Sequence, residues 1–86
     1  MAYKGWPMKI GRWQRNISFA SSKYVFYYLD IHSKYSPPTV GIAYDSVSKD
    51  WRVTYWALDD SNGKWMGTFD TKKDALKFAK KYMLRR

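Results

Sequence analysis

The chain has 86 residues, of which 45% are apolar and 20% aromatic, and its formal net charge is +9 at neutral pH. This length predicts a single domain. The absence of cysteine excludes a disulfide framework, a thiolate metal site and a cysteine nucleophile. The positive charge favours a polyanionic partner, because lysine and arginine neutralise phosphates and release counterions. The longest apolar run, residues 24–29, is too short to span a bilayer, so no membrane partner is expected.

The first 22 residues are predicted to form a basic aromatic arm, because isolated glycines and a proline interrupt any helical or strand period. Basic arms follow phosphates or enter a minor groove, and Arg12 and Arg15 are predicted to neutralise phosphates in this way. The aromatic side chains Trp6 and Trp13 could equally anchor the arm on the domain. The sequence leaves both interpretations open.

Residues 23–32 are predicted to form an extra N-terminal strand, since this segment is rich in aromatic and β-branched side chains. Alternation places four apolar side chains on one face: Val25, Tyr27, Leu29 and Ile31. Pro37 and Pro38 end the strand, because proline removes a donor from the ladder and favours a turn.

Three further strands are predicted at residues 40–45, 51–58 and 64–69. The dipeptide Asn62-Gly63 is typical of a hairpin loop, which needs positive φ values. Alternation divides the middle strand into an apolar face (Trp51, Val53, Tyr55, Ala57) and a mixed face (Arg52, Thr54, Trp56).

A C-terminal helix is predicted to begin after Thr71, where Thr71-x-x-Asp74 resembles a capping box. Its apolar stripe (Ala75, Phe78, Ala79, Tyr82) follows helical spacing, and a lysine face lies opposite it. The expected fold class is therefore α+β, with a three-stranded antiparallel sheet packed on a C-terminal α-helix (β-β-β-α). Residues 23–86 form the single domain, and the helix leaves the other face of the sheet free.

The sequence contains few residues in arrangements that support catalysis. His32 is the only histidine and has no cysteine or second histidine beside it, so no metal site is predicted. The aspartates are scattered through turns and strand ends, and the five glycines form no phosphate-binding loop. We therefore expect that the protein is not an enzyme and that it has no cofactor.

Binding chemistry is better supplied by the free face of the sheet. Arg52 could read guanine edges bidentately, and Thr54 offers a hydroxyl beside it. Trp56 and Trp65 could stack on bases or pack on sugars, and both could instead lie under the N-terminal segment as a second small core. Two surface lysines, Lys49 and Lys64, are predicted to neutralise phosphates beside this face.

The order of residues from Gly41 to Arg86, just over half of the chain, resembles the AP-two/ERF (Apetala and ethylene-response-factor) DNA-binding domain family of plant and apicomplexan transcription factors. The motifs that carry the resemblance are Gly41-Ile42, Trp51-Arg52-Val53, Trp65-Met66-Gly67-Thr68-Phe69-Asp70-Thr71, Asp74-Ala75 and Ala79. Phage integrase arm-binding domains are similar in having the same three strands and helix. The resemblance implies an AP-two-like core over residues 39–86 whose sheet enters the DNA major groove, with reading positions at Arg52, Thr54, Trp56 and Trp65.

The first strand departs from the family pattern, because Val40, Ala43 and Asp45 stand where plant members place arginines. Charge is also uneven: residues 39–70 hold three cations against five aspartates, whereas residues 71–86 hold seven cations against one. The positive potential is therefore expected on the arm and the helix. This distribution leaves open a second interpretation, in which the chain is a divergent member of the family that binds protein instead of DNA.

The leading expectation is sequence-specific binding of double-stranded DNA by a transcription or chromatin-associated factor, in the nucleus of a eukaryote or otherwise in the cytoplasm or nucleoid. The alternative is a protein-interaction or chromatin adaptor with little DNA binding. A third hypothesis is binding of RNA or single strands on Trp56 and Trp65. The chain is expected to act as a monomer or as a strand-exchanged homodimer.

Overall fold

A computed structural model of the chain describes residues 5–29, 38–56 and 63–85. In chain order its elements are β1 (Lys9–Ile10), β2 (Trp13–Ala20), β3 (Tyr24–Leu29), β4 (Thr39–Asp45), β5 (Asp50–Trp56), β6 (Lys64–Phe69) and α1 (Lys72–Leu84). The strands form one antiparallel sheet in the order β1-β2-β3-β4-β5-β6, so each strand pairs with its neighbour in sequence. Within these ranges α1 is too short and too polar to cross a membrane.

The prediction of a three-stranded sheet was wrong, because the sheet has six strands. The strands expected from the alternating patterns are present as β3, β4, β5 and β6, but β1 and β2 lie in the segment expected to be an arm. Gly11 turns the chain between them with a φ of +58°, and Ile10 then pairs with Trp13. A two-residue strand has no period of its own, so it forms only through pairing and packing.

The core lies between the sheet and α1. Thr71 caps the helix, since its side-chain oxygen accepts a hydrogen bond from the backbone N–H of Asp74 at 3.1 Å. The helix buries small and flexible side chains against β4 and β5, and the sheet contributes β-branched ones. The fully buried members of this central layer are Val25, Tyr27, Val40, Ile42, Val53, Ala75, Ala79 and Met83.

The segment before β1 packs beside α1 on the same face of the sheet. The Trp6 side chain is only 2% exposed, and the Lys72 ammonium lies 4.2 Å from the centre of its ring. The Tyr27 hydroxyl, which belongs to the buried face of β3, donates a hydrogen bond to the Pro7 carbonyl at 2.7 Å. Further along, Gly11 lies next to the end of α1 at Leu84. Residues 5–12 and α1 therefore cover one face together, and no other described helix or strand lies over the opposite face.

Two expectations fall on residues that lie outside the described ranges. Residues 57–62 contain the first residue of the expected hairpin dipeptide, and residues 30–37 contain His32 and the end of the extra strand. Gly63 is described, and its φ of +75° agrees with a loop conformation at this point. Exchange of the predicted strand at residues 40–45 between two copies would have to displace β3, because residues 39–43 of β4 pair with that strand.

Candidate nucleic-acid interface

The face of the sheet opposite α1 carries the sequence-predicted reading residues. Antiparallel register sets side chains in rows across this open face, because directly paired residues point the same way. One row runs across four strands from Phe26 through Gly41 and Thr54 to Trp65, and the next contains Tyr24, Ala43, Arg52 and Thr68. We use the name open face for these eight residues together with Trp56, which follows Thr54 on the same side of β5.

Arg52, Thr54 and Trp65 come together at the β5–β6 end of the open face. Thr54 pairs directly with Trp65, and the Arg52 guanidinium lies 5.7 Å from the centre of the Trp65 ring. The Trp65 side chain is 64% exposed, so its flat surface is available to a ligand. A bulge between Val53 and Thr54 shifts the register, which is how Trp65 rather than its neighbour comes to face Thr54.

Trp56 packs sideways on β3 rather than beneath an N-terminal segment. Its ring centre lies 5.8 Å from that of Phe26, and the two rings close over Gly41. A Cβ at Gly41 would lie 2.7 Å from Trp56 and 2.9 Å from Phe26, so only glycine leaves room for this contact. The second small core that could have hidden both tryptophans is not formed, because Trp65 is exposed and Trp56 remains half-buried on the open face.

The charge of Arg52 is shared with two carboxylates. Its guanidinium lies 3.1 Å from Asp45 and 3.3 Å from Asp50, and it also donates to the Ser48 hydroxyl at 2.9 Å. Backbone N–H groups of Ser48 and Val47 hold the pKa of Asp45 below its usual range, and Arg52 adds a smaller contribution of the same sign. Arg52 is therefore preoriented by acidic neighbours, and its side chain is still 41% exposed.

The four cations predicted to neutralise phosphates do not share one environment. Arg12 in the β1–β2 turn, Lys49 in the β4–β5 turn and Lys64 at the start of β6 are exposed, as expected. Arg15 is only 5% exposed, and its guanidinium donates to the Trp6 carbonyl at 2.8 Å and to the sulfur of Met8. The expectation for Arg15 is corrected, because its charge holds residues 6–8 against β2 and does not reach the surface.

Sequence reasoning missed the groove beside Arg52 and the carboxylate of Asp45 that lines it. An open groove of about 380 Å³ crosses β3, β4 and β5. Its lining includes Phe26, Gly41, Ala43, Asp45, Arg52, Thr54 and Trp56. The available signal was the four-residue turn at 46–49, which sets Asp45 opposite Asp50 and brings both carboxylates toward Arg52. Within the described residues, no group of three or more acidic or histidine side chains could hold a metal ion.

Fold and site together define a small α+β domain with one covered face and one open face of aromatic, hydroxyl and guanidinium groups. Comparisons with protein-family models, with curated proteins and with solved structures find no match for this chain. The AP-two/ERF resemblance is therefore supported by the sequence motifs between Gly41 and Ala79 alone.

Proposed function

We propose that the protein binds double-stranded DNA in a sequence-specific manner through the β5–β6 end of its open face. The observation that carries the proposal is the cluster of exposed Trp65 with half-buried Arg52 and Thr54 on a sheet face that no other described element covers. Such a cluster combines a bidentate donor, a hydroxyl and a flat ring, which are groups that read base edges and pack on sugars.

The position of this cluster suits entry into a major groove. In the described sheet β6 is an edge strand, so β5 and β6 form a two-stranded ribbon at the margin of the domain. A major groove about 12 Å wide admits a two-stranded ribbon, whereas the full six-stranded sheet is too wide to enter. The ribbon would therefore enter the major groove, and the Phe26–Trp56 contact would remain outside it.

Two cations flank the ribbon. Lys49 precedes β5, and Lys64 pairs with Tyr55 near the other end of the same strand. A strand rises about 3.4 Å per residue, so these two ammonium groups lie toward opposite ends of a strand roughly 20 Å long. In the proposed complex Lys49 contacts a phosphate at one end of the ribbon, whereas Lys64, which points to the covered side with Tyr55, reaches a phosphate past the β6 edge.

Arg52 must leave its carboxylate partners in order to read a base. Each exposed ion pair shifts an equilibrium by at most about fivefold, because solvent competes for both charges, so the two pairs together amount to about 25-fold at most. A good bidentate contact with guanine discriminates by roughly tenfold to a hundredfold or more. The exchange therefore favours DNA where the guanine contact is strong, and Asp45 and Asp50 hold Arg52 in place until DNA arrives.

Selection from a randomised duplex library, followed by affinity measurement on the selected site, tests the proposal. The R52A variant should lose about 1–3 kcal/mol on that site and relax the preference at one base position. R52K is the matched control, because it retains the charge but cannot form the bidentate contact. An unchanged preference in R52A, or no enriched sequence at all, would contradict specific reading by this face.

A protein-binding adaptor is the second candidate, and the aromatic character of the open face favours it. Tyr24 and Phe26 have ring centres 6.2 Å apart, and Phe26 continues the contact to Trp56. Such aromatic surface is typical of protein interfaces. Failure to shift any duplex at low salt, together with retention of a partner that F26A loses, would support the adaptor. Preferential competition by RNA or single-stranded DNA would instead support base stacking on Trp65.

A further inference from the structure

The exposed cations of the C-terminal helix form a second charged surface that the proposed DNA site does not use. These residues are Lys73, Lys77, Lys80, Lys81 and Arg85. At 100° per residue they fall on one outward arc of α1 and its C-cap, whereas the buried side chains Ala75, Ala79 and Met83 fall on the opposite side. Because α1 packs on the covered face, this arc points away from Arg52 and Trp65.

A single carboxylate, Asp74, lies on the same side of the helix as these cations, so little of their charge is compensated within α1. Lys73–Lys77, Lys77–Lys81 and Lys81–Arg85 are like-charged pairs at i,i+4, a spacing that destabilises a helix. Asp74 is the only carboxylate on α1, and in the described ranges none of the five cations forms an ion pair. An anionic partner that runs along the helix would relieve this repulsion.

Two shallow grooves run beside the arc and have apolar floors. One, of about 270 Å³, is lined by Lys73, Leu76, Lys77 and Lys80. The other, of about 300 Å³, is lined by Phe78, Lys81, Tyr82 and Arg85. Lysine and arginine stems can lie along such apolar surface while their charged ends reach out to anions.

We propose that the outward arc of α1 is a second nucleic-acid surface, which binds the phosphates of a duplex segment without reading its sequence. Charge complementarity selects this partner, since five closely spaced cations match the regular phosphates of a duplex backbone. The arc and the open face lie on opposite sides of the domain, so one straight duplex cannot touch both. Resting on the proposed function, the second surface makes a single chain a bridge between two DNA segments.

The test compares two triple variants that remove the same charge from opposite sides. K73Q/K77Q/K80Q alters the arc, and K49Q/R52Q/K64Q alters the proposed reading site. Glutamine is a good helix former and relieves like-charge pairs, so the arc variant should keep its helical circular dichroism. The probe is a short duplex, titrated into each protein to measure stoichiometry and the dependence of affinity on salt.

Two duplexes per wild-type chain and one in each variant would support the bridge. The salt slope of the arc site should fall by about 0.9 for each phosphate contact removed. If the wild-type chain binds one duplex and only the arc variant loses it, the arc is a nucleic-acid surface and the proposed reading site does not bind DNA. A wild-type stoichiometry and slope in the arc variant would overturn the proposal. Phosphatidylserine vesicles serve as a second probe. If the arc variant loses binding to these vesicles but binds DNA like the wild type, the arc is a lipid-binding surface and the proposal is overturned.

Discussion

The guanidinium of Arg52 lies 3.1 Å from the carboxylate of Asp45, and this contact ties the end of β4 to the open-face side of β5. Asp45 also accepts hydrogen bonds from the backbone of Val47 and Ser48, at 2.9 and 3.2 Å, so one side chain shapes the turn and holds the arginine. In the proposed DNA complex this carboxylate competes with the base for Arg52 and repels nearby phosphates.

The D45N substitution should therefore increase affinity for duplex DNA by about two- to fivefold, since it frees Arg52 and removes a negative charge from the open face. An asparagine oxygen can still accept the two backbone hydrogen bonds, so the turn is retained. D70N is the matched control, because it makes the same change in net charge at an exposed position beyond the end of β6. Equal gains in D45N and D70N would show that only overall charge matters.

Replacement of Arg12 and of Arg15 by alanine should affect the free energy of unfolding very differently. R15A should lower the free energy of unfolding by about 2–4 kcal/mol, because the Trp6 carbonyl loses a charged donor and the interior loses a large side chain. R12A should change stability by less than about 0.5 kcal/mol, as expected for an exposed residue. Urea denaturation measures both values.

DNA binding gives a separate test of the R12A variant. If Arg12 contacts a phosphate, R12A should reduce the salt slope of binding by about 0.9 while the fold is retained. An R15A protein with wild-type stability would contradict the structural role of Arg15.

The G41A substitution should destabilise the domain by about 1–3 kcal/mol, because its Cβ would meet the Trp56 and Phe26 rings at 2.7 and 2.9 Å. Rigid rings cannot yield as a flexible side chain would. G67A is the matched control, since there the nearest atoms of Phe69 lie at an ordinary 3.4 Å. Thermal unfolding compares the two, and equal losses would show that closure of the rings over Gly41 is unimportant.

Tyr27 should make stability depend on pH in the alkaline range. Burial raises the pKa of its hydroxyl to about 12, against a smaller opposing effect of the Arg15 charge. Because the folded pKa exceeds the ordinary value of about 10, the stabilisation is complete below pH 10 and is lost as pH rises toward 12.

The Y27F variant isolates this effect. At pH 7 it should be about 1–2 kcal/mol less stable, since the Pro7 carbonyl loses its donor, and the difference from wild type should shrink above pH 10. Urea denaturation at pH 7, 10 and 11 measures the trend. Y24F removes a hydroxyl from an exposed ring and should keep wild-type stability at pH 7. A gap between Y27F and wild type that stays constant with pH would contradict the assignment.

Much of the C-terminal half was predictable because its signals are local. The Thr71 cap and the apolar stripe define α1, and alternation along residues 51–56 separates Val53 on the buried side from Arg52 on the open side. These signals depend on backbone periodicity and on hydrogen bonds between residues a few positions apart, so they are visible in the chain itself.

The N-terminal third was not predictable in the same way. β1 has two residues, β2 contains an irregularity between Arg15 and Ala20, and neither shows a period that stands out in the sequence. Their stability comes from partners far along the chain, such as β3 beside β2 and α1 beside Trp6. Only packing decides that such a segment completes a sheet instead of forming an arm.

The sequence by itself determined a basic domain with an amphipathic helix and a strand that divides Arg52 from Val53, since these follow from composition and local period. Tertiary structure alone decided that Arg15 is buried and that Asp45 and Asp50 hold Arg52. Charged side chains take their roles from neighbours brought close by strand register, and register is set by the fold as a whole.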